Sequence, residues 1–206
     1  LCAAPGRVES VGAATPFEPT FRAEKLAEMD AAINEAIASK QCHGGVLWVE
    51  RQGVSYRKAF GQRALVPSEE RMTEDTIFDA ASLTKVLATT PAILRLVERG
   101  PVKLDDAVQT YLPEFKGEGR ESVTVRHLLT HTSGLRAGLP TKPDWAGYAK
   151  AIELAVAEKP TMPAGTAFRY SDVNFILLGD IIRRVSGTTL DEFVARELYR
   201  PLRMID

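Results

Sequence analysis

The chain has 206 residues, is 45% hydrophobic and 26% charged, and carries 26 Lys and Arg against 27 Asp and Glu. That composition suits a globular domain or a piece of one, and a net charge of −1 gives no field to draw in nucleic acid or an anionic membrane surface. No apolar run reaches the roughly 18 residues of a membrane span.

Residues 1–20 hold Pro5, Gly6, Gly12, Pro16 and Pro19 without apolar periodicity, so a loose leader is expected. The opening Leu1-Cys2-Ala3-Ala4-Pro5 fits the remnant of a processed export signal, which would place the protein in the periplasm or cell envelope, and equally fits an arbitrary boundary. From Phe21 to Lys40, Leu26, Met29, Ile33 and Ile37 recur at helical spacing and predict an amphipathic helix. The β-rich runs 46–51 and 54–60 flank Gln52-Gly53 and predict a hairpin. Cys42, just before it, reads as a buried free thiol, and residues 61–76 as a polar loop.

Ser82 follows, at what reads as the first turn of a helix, with Lys85 three residues on and on the same face. A serine hydroxyl needs a base to become a nucleophile, and a partly desolvated lysine one turn away can take part. The positive end of the helix favours the alkoxide. The bland alternative is a helix-start serine and a solvated lysine. Ser55 and Lys58 repeat the spacing, but on a strand they point to opposite faces and cannot cooperate. Leu83, Val86, Leu87, Leu94 and Val97 predict a buried stripe, with a kink or break at Pro91 and a stop at Gly100-Pro101.

A short helix over 123–129 precedes the turn Thr130-His131-Thr132-Ser133-Gly134-Leu135. A helix over 146–158 follows, and then Tyr170-Ser171-Asp172, in which Asp172 reads as an N-cap. Phe175, Leu178, Ile181, Ile182 and Val185 form the stripe of the next helix, and Leu190, Phe193, Val194 and Leu198 that of the last. His127 and His131 stand at i and i+4 without the intervening Glu of a zinc-protease helix, and the cysteines match no ligand spacing, so neither metal nor cofactor is expected.

Three motifs stand in one order: Ser82-x-x-Lys85, Leu128 to Leu135, and Tyr170-Ser171-Asp172 running into Asn174 to Gly179. Together they resemble the serine β-lactamase and penicillin-binding-protein superfamily, in the branch of class C β-lactamases, D-alanyl-D-alanine carboxypeptidases and related serine esterases. The resemblance spans residues 21–206. It implies an α+β fold of the β-lactamase/transpeptidase type, a helical region packed on an antiparallel sheet of which the first hairpin lies here. On that reading residues 21–78 are helix and hairpin, and 79–206 the mainly helical part with the motifs.

The resemblance implies that Ser82 is acylated, that Lys85 shares its proton, and that Tyr170 is the partner base relaying that proton to the leaving group. A free phenol titrates near 10, and a neighbouring ammonium lowers it. His131 to Leu135 reads as a tight turn packed beside the site. Trp145 and Tyr148 line a cleft or simply pack. Asp172 stands where lactamases of this branch usually have Asn; beside Lys85 it would hold the lysine charged, and it puts efficient lactam hydrolysis in doubt. The family's third element, a Lys/His-Ser/Thr-Gly triplet whose strand gives a second oxyanion donor, does not follow residue 174. Loss of one such donor costs ~10²–10³ in rate. The expectation is therefore the N-terminal portion of a longer protein, or one chain of a split one, needing its other half for activity. The leading function is a serine hydrolase forming an acyl-enzyme on a small-molecule or peptide amide, lactam or ester; the rival is a non-catalytic penicillin-recognising or scaffold domain.

Overall fold

A computed structural model describes residues 20–204, so the leader reading lies almost wholly outside the described residues. The chain forms two compact units, one up to Asp79 and one from Ala80.

The first unit carries helix α1 (Ala23–Ala38) and strands β1 (Gly44–Arg51), β2 (Val54–Ala64) and β3 (Glu70–Arg71), in the antiparallel order β1-β2-β3. Gln52 and Gly53 both take positive φ, 53° and 77°, the two-residue turn whose twist matches that of the strands it joins. Val46 pairs with Ala59 and Trp48 with Arg57. Gly61 is required at its position: its φ is +64° and an added Cβ would stand 2.3 Å from the His43 carbonyl oxygen. Asp30 of α1 accepts from the Tyr56 hydroxyl at 2.8 Å and the Lys58 ammonium at 2.5 Å, tying helix to sheet. Lys58 is thus engaged on the face opposite Ser55, as the strand geometry requires.

Two expectations for this unit change. The hairpin has a third partner: Arg71 pairs with Gln62 and Glu70 with Ala64 inside the stretch read as loop. Backbone pairing needs no apolar side chain, and Arg63 adds a 2.8 Å bond to Glu70. Cys42 is exposed, not buried, because it lies in the connection before the first paired residue of β1.

The second unit opens with a π-helical turn (Lys85–Thr89) that runs into α2 (Thr90–Arg99). It continues with α3 (Val125–Leu129), α4 (Tyr148–Ala157), α5 (Asp172–Ser186) and α6 (Leu190–Val194), which passes into a second π-helical turn (Ala195–Tyr199). Its core surrounds α5, where Leu177, Leu178, Ile181 and Ile182 are fully buried against residues such as Ile93, Phe115, Leu128 and Phe193. Each such side chain contributes about 1.5–3 kcal/mol by leaving water.

Pro91 neither breaks the helix nor ends it. An α-helical proline would lack its N–H and press on the carbonyl four residues back, here that of Leu87. The π turn relieves this: the Thr90 N–H bonds the Lys85 carbonyl, and the Leu87 carbonyl accepts from the Tyr199 hydroxyl at 3.2 Å. The buried face also differs from the expected stripe. Ala88, Ala92, Ile93 and Leu96 point inward, while Leu83, Val86, Leu87 and Leu94 are exposed. Two apolar rows compete on this segment, and the one with two alanines lets α5 come close. No helix among the described residues is long and apolar enough to cross a membrane.

Candidate active site

Ser82 sits in the turn that enters the π-helical segment. Leu83, Thr84 and Lys85 donate backbone bonds to Ala80, Ala81 and Ser82 at 2.9–3.1 Å. Ala81, immediately before it, has φ +42°. A left-handed conformation costs an L-residue roughly 1–2 kcal/mol, so this turn is held under strain where the serine is presented.

Tyr170 lies just before α5, whose N-cap is Ser171. The Ser171 hydroxyl donates to the Arg136 carbonyl at 2.6 Å and accepts from the Asn174 N–H at 3.4 Å. Asp172, read as the cap, is instead the first helical residue. Its carboxylate is thereby released to pair with Lys85, Nζ to Oδ1 at 2.7 Å.

Three of the expected residues come together. The Tyr170 hydroxyl lies 2.7 Å and the Lys85 ammonium 3.2 Å from Ser82 Oγ. Lys85 Nζ thus reaches both Ser82 Oγ and Asp172 Oδ1, and it lies 5.0 Å from the Tyr170 ring centroid. Burial alone would push the Lys85 ammonium down, but its bonds to Asp172 and Tyr170 outweigh that, and it stays above the usual lysine range. The Lys85 and Ser82 hydrogen bonds hold the Tyr170 phenol below its ordinary value, against burial and the Asp172 carboxylate. A lysine held cationic beside a phenol held below its ordinary value favours the phenolate, the form able to accept a proton from the Ser82 hydroxyl.

Trp145 and Tyr148 make their polar contacts elsewhere. The Trp145 indole donates to the Pro140 carbonyl at 2.5 Å. The Tyr148 hydroxyl binds Asp180, a fully buried carboxylate also held by Arg183 and Arg184. Tyr148 lines a cavity of about 310 Å³ with Ala151, Phe175, Ile176 and Gly179. Phe175 links that cavity to the reactive group, since its ring lies 5.7 Å from Lys85 Nζ.

The turn from His131 to Leu135, expected to pack beside the site, does so through Ser133 and His131. Ser133, buried, donates to Asn174 Oδ1 at 2.6 Å, and the His131 ring stacks on Tyr170 at 4.6 Å. The signal for the first was available: Asn174 is a polar residue inside the apolar run from Val173 to Leu178, and a buried amide demands a partner. His127 caps its own helix with Thr124, each accepting the other's backbone N–H at 3.2 Å.

The family model described as Beta-lactamase matches residues 29–206, and the chain belongs to that family. It is 32% identical over 204 residues to N-acetylmuramyl-L-alanine amidase of Bacillus subtilis (strain 168), covering 89% of this chain and 46% of that protein. It is 35% identical over 204 residues to esterase EstB of Burkholderia gladioli, covering 89% and 51%. A solved class C β-lactamase superposes with a TM-score of 0.74 at 28% identity, over 91% of this chain and 51% of that one. The fold is therefore β-lactamase/transpeptidase-like, and the chain spans about half the length of the curated relatives it matches.

Proposed function

We propose that the protein is a serine hydrolase that forms an acyl-enzyme on a small-molecule or peptide amide, lactam or ester. The observation that carries this is the Tyr170 hydroxyl at 2.7 Å from Ser82 Oγ with the Lys85 ammonium beside both. With Tyr170 as phenolate, that contact runs the other way, and Ser82 donates. Its oxygen then attacks the substrate carbonyl as its proton passes to Tyr170, and Lys85 steadies the charge. Tyr170 returns the proton to the leaving amine or alcohol when the tetrahedral intermediate collapses. Water, deprotonated by the Tyr170 phenolate, then attacks the acyl ester, and Tyr170 passes that proton to Ser82 Oγ as its bond to the acyl group breaks and the acid departs. No step calls for a metal or a cofactor.

The Ser82 backbone N–H is one donor to the developing oxyanion. A second belongs, as part of this proposal, to sequence outside residues 1–206, in keeping with the half-length match to the relatives. Amide and ester substrates are both favoured by the relatives' names, an amidase and an esterase. The Asp172 carboxylate beside Lys85 weighs against efficient lactam hydrolysis. Export to the cell envelope remains part of the same proposal.

Turnover of a p-nitrophenyl ester, a peptide amide and a β-lactam by the protein in its natural full length tests this. Hydrolysis of at least one is expected, with a loss of several orders of magnitude in Ser82→Ala. A stable adduct on Ser82 without turnover would support the rival, a penicillin-recognising domain. Turnover undiminished in Ser82→Ala would refute the assignment.

A further inference from the structure

We propose that His131 is the positioning residue for Tyr170, gripping the chain on both sides of the phenol and stacking on its ring so that the hydroxyl stays on Ser82. This rests on Tyr170 being the base assigned above. The Arg169 N–H donates to the His131 carbonyl at 2.8 Å, and the Ser171 N–H donates to His131 Nδ1 at 3.0 Å. Residues 169 and 171 flank Tyr170, so one side chain and its own backbone fix the base from both directions. The imidazole lies 4.6 Å from the Tyr170 ring centroid at 31° and 5.1 Å from that of Phe175 at 36°, with Phe168 edge-on at 5.9 Å. The phenol can then neither slide nor turn without losing a stacked partner.

The histidine is itself fixed. Its φ of +56° is a left-handed conformation that His tolerates better than most residues. Asn174, held by buried Ser133, brings its amide within 3.4 Å of Nδ1. The turn around it is tied by Thr132 to the His127 carbonyl at 2.9 Å and by Gly165 to the Thr132 carbonyl at 2.8 Å.

An Nδ1 that accepts carries no proton, so the imidazole must be neutral with its proton on Nε2. The charged and titratable groups facing it are Lys85 from the π turn, Asp172 from α5, and Tyr170. Burial and the Lys85 ammonium hold His131 below the usual imidazole range, against Asp172, which keeps the acceptor available. A residue that only filled space here would need no acceptor nitrogen, and a phenylalanine would serve.

The test is the rate of acylation by a p-nitrophenyl ester against pH, in the full-length protein. His131→Phe keeps a ring and loses the acceptor. His131→Asn keeps an acceptor near the Nδ1 position and tolerates the left-handed backbone, but loses the ring. The Phe variant is expected to acylate about 10-fold more slowly, the loss of one hydrogen bond. Its acid limb should move to higher pH as Tyr170 loses its contact with Lys85, with KM little changed. The Asn variant should return that limb toward the wild-type position at a reduced rate. If His131→Phe fails to fold, His131→Asn decides alone: slowed acylation at a near-wild-type melting temperature supports the proposal, and a wild-type rate overturns it. A lowered melting temperature with an unmoved limb, the mark of plain packing, also overturns it. Tyr170→Phe separates the two assignments. Acylation that survives it removes the base and this proposal together, whereas acylation lost in Tyr170→Phe but unchanged in both His131 variants removes only the role of His131.

Discussion

Asp172 and Lys85 show how a single side chain shifts the titration of the group it touches. The carboxylate sits 2.7 Å from the ammonium and opposes ionisation of Tyr170 while favouring protonation of Lys85. If the active form is phenolate with ammonium, activity rises with pH through the lowered Tyr170 value and falls as Lys85 loses its proton above the ordinary lysine range. Asp172→Asn removes a negative neighbour from both, so both limbs are expected to move to lower pH; a pH profile of kcat/KM with the same ester reads this directly. An unmoved profile would mean that the pair does not govern the chemistry. That Ser82, Lys85 and Tyr170 meet was legible through the order of the three motifs, since Ser-x-x-Lys spacing occurs twice in the chain and alone leaves a bland reading open. Ser171 and Asp172 were not distinguishable as caps, since both accept N–H bonds well and only the backbone decides which sits one residue outside the helix. That the His131 turn packs beside the site was readable from its motif, but its ring contact with Tyr170 and its bond to the Ser171 N–H were not, since two turns about 40 residues apart meet only in three dimensions.

At the scale of the elements, periodicity located the helices and misjudged which face of one was buried. The segment 83–97 offers two apolar rows. The buried row is Ala88, Ala92, Ile93 and Leu96, and the exposed one Leu83, Val86, Leu87 and Leu94, a choice that periodicity alone does not make. The π turn that accommodates Pro91 has no single-residue signature, because it depends on the Leu87 carbonyl finding Tyr199, over a hundred residues away. Helix α5 carries the site and the core on opposite faces, Asp172 near one and Leu177, Leu178 and Ile181 in the other. Leu177→Ala should therefore cost about 2–5 kcal/mol of stability, measured by denaturant unfolding, as truncation of a fully buried leucine leaves a cavity. A cost below about 0.5 kcal/mol, the range of surface substitutions, would place Leu177 outside the core.

At the scale of the molecule, the chain belongs to the β-lactamase family, its described residues form a three-stranded antiparallel sheet and a helical unit, and it is matched over about half of its relatives' length. The hairpin was readable from Gln52-Gly53 between two β-rich runs. The third strand was not, since two residues paired mainly through backbone leave no periodic trace. Family and fold thus followed from three short motifs, which name no substrate. The central claim is that Ser82 takes up the acyl group with Tyr170 as its base. The most direct measurement is peptide mapping by mass spectrometry of the full-length protein, quenched during reaction with a slowly released activated ester. The expected result is a single acyl adduct on the peptide bearing Ser82, absent from Ser82→Ala and strongly slowed in Tyr170→Phe. Acylation mapped to any other residue, or an adduct on Ser82 that forms equally fast in Tyr170→Phe, would contradict it.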